Sequence, residues 1–264
     1  MLVGGQFECG KFECYWCNKT IYTGWAARGI DLRPNSVIRQ IVKSASKANG
    51  VSAQELTEMV SRACLVARDA AFNIRDYIAT SSRMALVAVK QCERELDDIE
   101  RNIDETLPSA ITDVTEPEAR QLLACLRFIT DLERIGDLLY SVGRGIDQLS
   151  SPLTRQDTQH FLEMSDTLQR MLEDVHKGFV AGDVQPAELV LKNDAKLDRS
   201  CHQLFRRHLQ ISGKKTTSDN TRVLFIAQAL ERAGDHAKNL AEEVIHLVQG
   251  HTLKHASRTR LRAD

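Results

Sequence analysis

Four pairs of acidic residues share one spacing: Glu93/Asp97, Glu133/Asp137, Asp194/Asp198 and Glu231/Asp235. If these segments are helical, an i, i+4 spacing puts both carboxylates on one face, one turn apart. Two like charges there cost an isolated helix a few tenths of a kcal/mol. A hard divalent or trivalent cation, held by carboxylate oxygens from neighbouring helices, would offset that cost. Asn239 extends the last pair by one more turn and adds an amide oxygen. An alternative without metal is also open. Arg134 lies three residues before Asp137 and Arg232 three before Asp235, so each acid has a cation within reach for a surface ion pair. The fourfold recurrence of the pair favours metal.

Two further motifs point to a rival chemistry. Glu173-x-x-His176 and Glu243-x-x-His246 fit the Glu-x-x-His pattern of di-iron carboxylate bundles, which would make the chain a helical-bundle oxidase. The two motifs are not echoed in the first half, where Gly145 and Gln148 stand at the places matching Glu243 and His246. Gly213-Lys214-Lys215-Thr216 resembles the end of a phosphate-binding loop, but position 208 is His rather than Gly, and the segment joins two helical patterns. No glycine-rich dinucleotide loop and no nucleophile–base pattern stands out, though a catalytic triad need not be local in sequence.

The elements that must carry these residues are helices. The five prolines, at 34, 108, 117, 152 and 186, leave long proline-free tracts. Within these tracts, apolar residues recur every three or four positions along six segments. Val60, Cys64, Ala67, Ala71 and Ile74 mark the first, opened by the capping box Ser52/Glu55. A break is expected at Thr80-Ser81-Ser82. Val89, Leu96, Ile99 and Ile103 mark the second, expected to end before Pro108. The third opens near Pro117 and carries Leu122, Leu126, Ile129, Leu132, Gly136, Leu139 and Ile146. Beyond Pro152 the fourth carries Leu162, Leu168, Met171, Val175 and Phe179, with Gly182 at its end. The fifth opens at Pro186 with Leu189, Leu197 and Leu204. After a polar link, Gly213 to Asn220, the sixth runs from Val223 through Ile226, Leu230, Ala233, Ala237, Leu240 and Val244 to Leu247 and ends at Gly250.

This plan is duplicated. Asp131–Leu138 reads D-L-E-R-I-G-D-L and Ala229–His236 reads A-L-E-R-A-G-D-H, 98 positions later. Glu93–Asp97, E-R-E-L-D, is echoed by Asp194–Asp198, D-A-K-L-D, 101 positions later. Two matches at nearly one offset indicate internal duplication. The expected fold is all-α, as two tandem pseudo-symmetric three-helix bundles over residues 51–150 and 151–250. Gly136 and Gly234 sit on the core stripe, where glycine costs a helix about 1 kcal/mol relative to alanine. Close helix approach is the expected reason for both.

The ends of the chain look different. Residues 1–50 lack sustained periodicity and are expected to form an ill-ordered extension. Cys9, Cys14 and Cys17 cluster there but lack a fourth ligand nearby for zinc. Residues 251–264 form a basic tail with Lys254, Arg258, Arg260 and Arg262 against Asp264. Cys64, Cys92, Cys125 and Cys201 fall singly within helical patterns, as buried free thiols do in a reducing compartment. The 264 residues hold 35 Lys+Arg against 36 Asp+Glu, a balance that does not favour nucleic acid as a partner. No apolar run approaches the ~20 residues of a membrane span, and no secretory leader pattern opens the chain, so a cytoplasmic location is expected.

The segments D-L-E-R-I-G-D at 131–137 and A-L-E-R-A-G-D-H-A-K-N-L-A-E-E-V at 229–244, in this duplicated helical setting, resemble the PhoU family of phosphate-uptake regulators. The likeness covers roughly residues 52–250. It implies two symmetric three-helix bundles that bind metal, iron or zinc in some members, on acidic motifs. The positions matching those motifs are Glu93, Asp97, Glu133 and Asp137 on one face, and Asp194, Asp198, Glu231, Asp235 and Asn239 on the other. It further implies a non-enzymatic negative regulator of the phosphate-starvation response, a homodimer that joins a phosphate-transporter ATPase to a membrane sensor kinase. Ser141 stands where the second motif has Asn239, so the first metal site is expected to be the weaker.

Overall fold

The computed structural model describes residues 53–112, 114–212 and 218–249. Ser52, Cys9, Cys14, Cys17, the link at 213–217, Gly250 and the basic tail lie outside them. Six α-helices follow in order: α1 (Ala53–Thr80), α2 (Arg83–Ala110), α3 (Glu116–Asp147), α4 (Arg155–Ala181), α5 (Val184–Ser212) and α6 (Ser218–Gln249). No strand occurs among the described residues.

Local chemistry explains where the helices stop and start. Ser81 takes the left-handed conformation at φ 56°, ending α1, and the Ser82 hydroxyl accepts from the Ala85 N–H to open α2. At α3, Glu118 accepts from both the N–H and the hydroxyl of Thr115, and Pro117 sits in the first turn. Gly182 closes α4 at φ 61°, where the Asp183 N–H reaches back to the Gly178 carbonyl at 3.1 Å. Pro108 corrects one expectation, since α2 continues past it to Ala110. Proline costs a helix one hydrogen bond. In the last turn that loss removes no further ladder. There the Thr106 and Ser109 hydroxyls bond the Asn102 and Thr106 carbonyls.

The repeats do not stand apart. Within the first, α2 packs on α1 and α3; within the second, α5 packs on α4 and α6. Between them, α1 lies against α4 and α3 against α6, so α1, α3, α6 and α4 close a central ring with α2 and α5 outside it. One continuous apolar core runs through both repeats, from Leu56 and Val60 to Val244 and Ile245. The Phe128 and Phe179 rings meet across the seam at 4.5 Å. Polar ties cross it too: Arg127 to Glu243 at 3.0 Å, Asp131 to His236 at 2.7 Å, and Arg75 to Asp166.

The apolar stripes fall on the core as expected except at two positions, Leu126, which is only half-buried, and Leu189. Leu189 is exposed, and α5 instead buries Ala187, Val190, Leu197, Cys201 and Leu204. Asp194 lies on that same stripe, between Val190 and Leu197, and is buried with it.

A shared core predicts shared unfolding. Phe128→Ala should cost about 3–4 kcal/mol and shift one cooperative transition for both repeats, as followed by circular dichroism in denaturant. Two separated transitions would show that the repeats fold independently.

Candidate functional site

Leu96 of α2 and Gly136 of α3 build the first acidic face. A Cβ placed on Gly136 would stand 2.7 Å from the Leu96 Cδ1 and 3.6 Å from the Glu93 Cα. Only a bare backbone lets the helices approach this closely. The acids flank the contact on both helices: Glu93 and Asp97 around Leu96, Glu133 and Asp137 around Gly136. The second repeat reproduces it, with a Cβ on Gly234 of α6 standing 2.6 Å from the Leu197 Cδ1 of α5. Asp194 and Asp198 flank Leu197, and Glu231 and Asp235 flank Gly234. Asn239 is half-buried one turn beyond Asp235.

Crowding leaves an electrostatic signature. Partial burial, followed by Asp137, Glu100 and Asp97, raises the Glu133 carboxyl to about 7. Burial with Asp97 and Asp137 raises Glu93, and burial with Asp137 raises Asp97. Burial, then Asp235, Asp198 and Asp194, raises Glu231, while burial and Asp194 raise Asp235. Carboxylates that destabilise one another in this way are stabilised by any cation placed among them. Among the described residues, no three His, Cys, Asp or Glu side chains are yet arranged to hold a metal ion. The donors are gathered on each face but not closed round a centre.

The ion-pair alternative is present in part. Arg134, largely exposed, stands 3.4 Å from Glu133 and 3.7 Å from Asp137. Arg232 forms no such pair with Asp235 among the described residues; the cation of the second face is Lys238, 2.5 Å from Asp194.

The structure adds residues that the repeat comparison passed over. A recess of about 450 Å³ is lined by Asp97, Glu100, Asp104, Glu105 and Glu133, with Arg101 among them. Glu100 and Asp104 follow Asp97 by three and seven residues, so helical spacing alone places all three on one face. Their counterparts in the second repeat are Cys201 and Phe205. A search for duplicated acids therefore misses them. The same holds for Lys238, whose counterpart in the first repeat is Tyr140.

Three of the four Glu-x-x-His residues are engaged elsewhere, while His246 stands 3.6 Å from Glu243 of its own motif. Glu173 accepts from Gln169, Glu243 takes the Arg127 guanidinium, and His176 hydrogen-bonds Ser61 at 3.0 Å. Burial and Arg68 hold His176 below the usual imidazole range. A larger recess, about 920 Å³ between Thr57, Gln121, Phe179 and Val248, touches none of the acid pairs. The thiols of Cys64, Cys92 and Cys201 are pushed up by burial, to about 12, 11 and 11, which leaves them unreactive.

Two predictions follow from the contact and the crowding. Gly136→Ala and Gly234→Ala should each destabilise by about 1 kcal/mol despite alanine's helix preference, because the added methyl overpacks a buried leucine. Denaturant melts giving unequal losses would break the equivalence of the two contacts. A carboxyl raised above its ordinary 4.5 favours the folded state while protonated; that contribution is present below about pH 4.5 and lost as pH rises through about 7. Glu133→Gln should therefore stabilise the metal-free protein by about 1 kcal/mol at pH 8, solvent screening most of the repulsion, and by nothing at pH 4.

Comparison with known proteins places these features in context. The family model described as the PhoU domain matches residues 60–146 and 161–244, more than half of the chain. A Pseudomonas aeruginosa protein named phosphate-specific transport system accessory protein PhoU homolog is 28% identical over 184 residues, covering 67% of this chain and 75% of its own. A Caulobacter vibrioides protein of the same name is 29% identical over 207 residues, covering 76% and 89%. The fold is shared with the phosphate transport system regulatory protein PhoU from Streptococcus pneumoniae, at TM-score 0.69 and 18% identity, covering 76% of this chain and 97% of that one. The structure of PhoU from Pseudomonas aeruginosa aligns at TM-score 0.61 and 23% identity, covering 82% and 99%.

Proposed function

Because the chain belongs to the PhoU family, we propose that it is a metal-binding regulatory adaptor of phosphate transport, repressing high-affinity uptake and the phosphate-starvation response through protein contacts. Relatives named as accessory proteins of the phosphate-specific transport system support the biological role. The observation that carries the chemistry is the repeated Leu–Gly contact, which gathers four carboxylates on one face of each repeat.

The donors would be Glu93, Asp97, Glu133 and Asp137 on the first face, and Asp194, Asp198, Glu231, Asp235 and Asn239 on the second. An all-oxygen set suits a hard cation, with iron and zinc the metals that the family resemblance adds. Bound metal would relieve the repulsion on each face and lock α2 to α3 and α5 to α6, giving partners a fixed surface. The partners in this reading are a phosphate-transporter ATPase and a membrane sensor kinase, met by a dimer of the chain in the cytoplasm. No described helix is long and apolar enough to cross a membrane, so membrane contact would run through those partners.

Two measurements test the reading. Cells lacking this protein should express phosphate-starvation genes in phosphate-rich medium, and the wild-type chain should restore repression; repression that persists without it would remove the regulatory role. Metal content of the purified protein should fall when Glu133 and Asp137 are both changed to Ala, and unchanged content would remove the metal centre.

A further inference from the structure

The recess of about 920 Å³ is framed by α1, α3, α4 and α6, away from the acid pairs. Phe179, Val180, Leu247 and Val248 give it an apolar side. Two of these are left open to solvent: Val180 is 62% exposed and Val248 43%. Apolar side chains gathered along a concave wall mark a docking groove, whereas single exposed ones scattered over a surface do not.

The path of the chain bears on what covers it. Val248 and Gln249 line the recess and form the end of α6, so residues 250–264 leave the bundle from its wall. An extended chain spans roughly 3.3 Å per residue, so the stretch from Gln249 to Arg262 is long enough to turn back and cross the recess.

Charge points to the same segment. The recess is lined by Glu58 and Glu116 against one cation, Arg120, which pairs with Glu116 at 2.8 Å. Glu58 has no ion pair among the described residues and accepts only from the Gln54 amide, at 3.1 Å. Arg62, Lys177 and His246 each lie within two positions of a lining residue, but they stand by Glu95, Asp174 and Glu243. Both α4 and α6 end at the recess, and the partial negative charge of a helix C-terminus favours cations. The last turn of α4 carries no basic residue of its own. The opposite pole of α3 also lies here, but Glu116 and Glu118 already occupy its first turn. Residues 250–264 supply the complement: Lys254, Arg258, Arg260 and Arg262 against Asp264, with Leu253 and Leu261 between them as large apolar residues.

We propose that this recess is the docking site of the chain's own C-terminal tail, residues 250–264. Leu253 covers Val180 and Val248, and the basic residues beyond it lie against Glu58 and the ends of α4 and α6. The docked tail closes this face of the bundle to other partners.

Photo-crosslinking in the purified full-length chain tests this. Val180→p-benzoylphenylalanine, irradiated and mapped by peptide mass spectrometry, should crosslink to residues 250–264 of the same chain. Val248→p-benzoylphenylalanine should do the same from the other side of the recess. Met84→p-benzoylphenylalanine, at a site 76% exposed and outside the recess, should give no tail crosslink. In the Val180 chain, Leu253→Asp should lower the yield about tenfold, as loss of one buried leucine predicts. Glu58→Lys should lower it about threefold, the scale of one exposed ion pair. Absence of tail crosslinks from both recess sites would overturn the proposal, as would an equal yield from position 84 or a yield indifferent to Leu253→Asp. Crosslinks to residues 1–50, or between two chains, in place of the tail would assign the recess to a different occupant and overturn it too.

Discussion

A leucine side chain packed on a bare glycine backbone governs the arrangement of the acidic residues. Leu96 on Gly136 and Leu197 on Gly234 bring each outer helix against its partner in the central ring. Each contact is flanked by acids one residue to one side and three to the other, on both helices. The apolar contact therefore sets the distance at which the charges must coexist. Burial of the leucines stabilises a position that the carboxylates alone would oppose, and Glu133, Glu93 and Glu231 are raised first by their own burial and then by that opposition. A cation between the helices would act in the same direction as the leucine.

The central ring of α1, α3, α4 and α6 gives the outer contacts a rigid base. Neither repeat could cover its apolar faces alone: Val60, Ile129 and Leu132 of one half belong to the same core as Leu168, Leu230 and Leu240 of the other. The ion pairs along the seam keep partial contact with solvent and contribute modest energy individually. They fix register instead, as Arg127 does by meeting both oxygens of Glu243. The outer helices α2 and α5 are then free to differ in charge without disturbing the core, and they do.

That difference shows how duplication and divergence combine. The repeat preserved the four acid pairs and both glycines, while single positions around them changed: Tyr140 against Lys238, Glu100 against Cys201, Asp104 against Phe205. Burial separates the faces as well. Asp194 sits on the inner stripe of its helix and requires a fixed partner, whereas the first face opens to solvent through the recess beside Glu100 and Asp104.

Much of this was legible in the chain itself. The six helices follow from period and punctuation, because amphipathic stripes and capping chemistry are local properties. The break at Ser81, the stop at Gly182, the duplication and the acid pairs all lie within short windows of sequence. Local signals failed where a neighbour decided the outcome. Leu189 fits a helical stripe yet faces solvent, because the core of α5 is set by what α4 and α6 present. Pro108 is tolerated because it falls in a last turn. Only the tertiary structure decided that the two repeats share one core, that Glu133 of the neighbouring helix closes the recess beside Glu100 and Asp104, and that Lys238 closes on Asp194. Sequence sets which residues share a helix face; packing between helices sets which charges meet, since that depends on distances across the chain that no local spacing encodes.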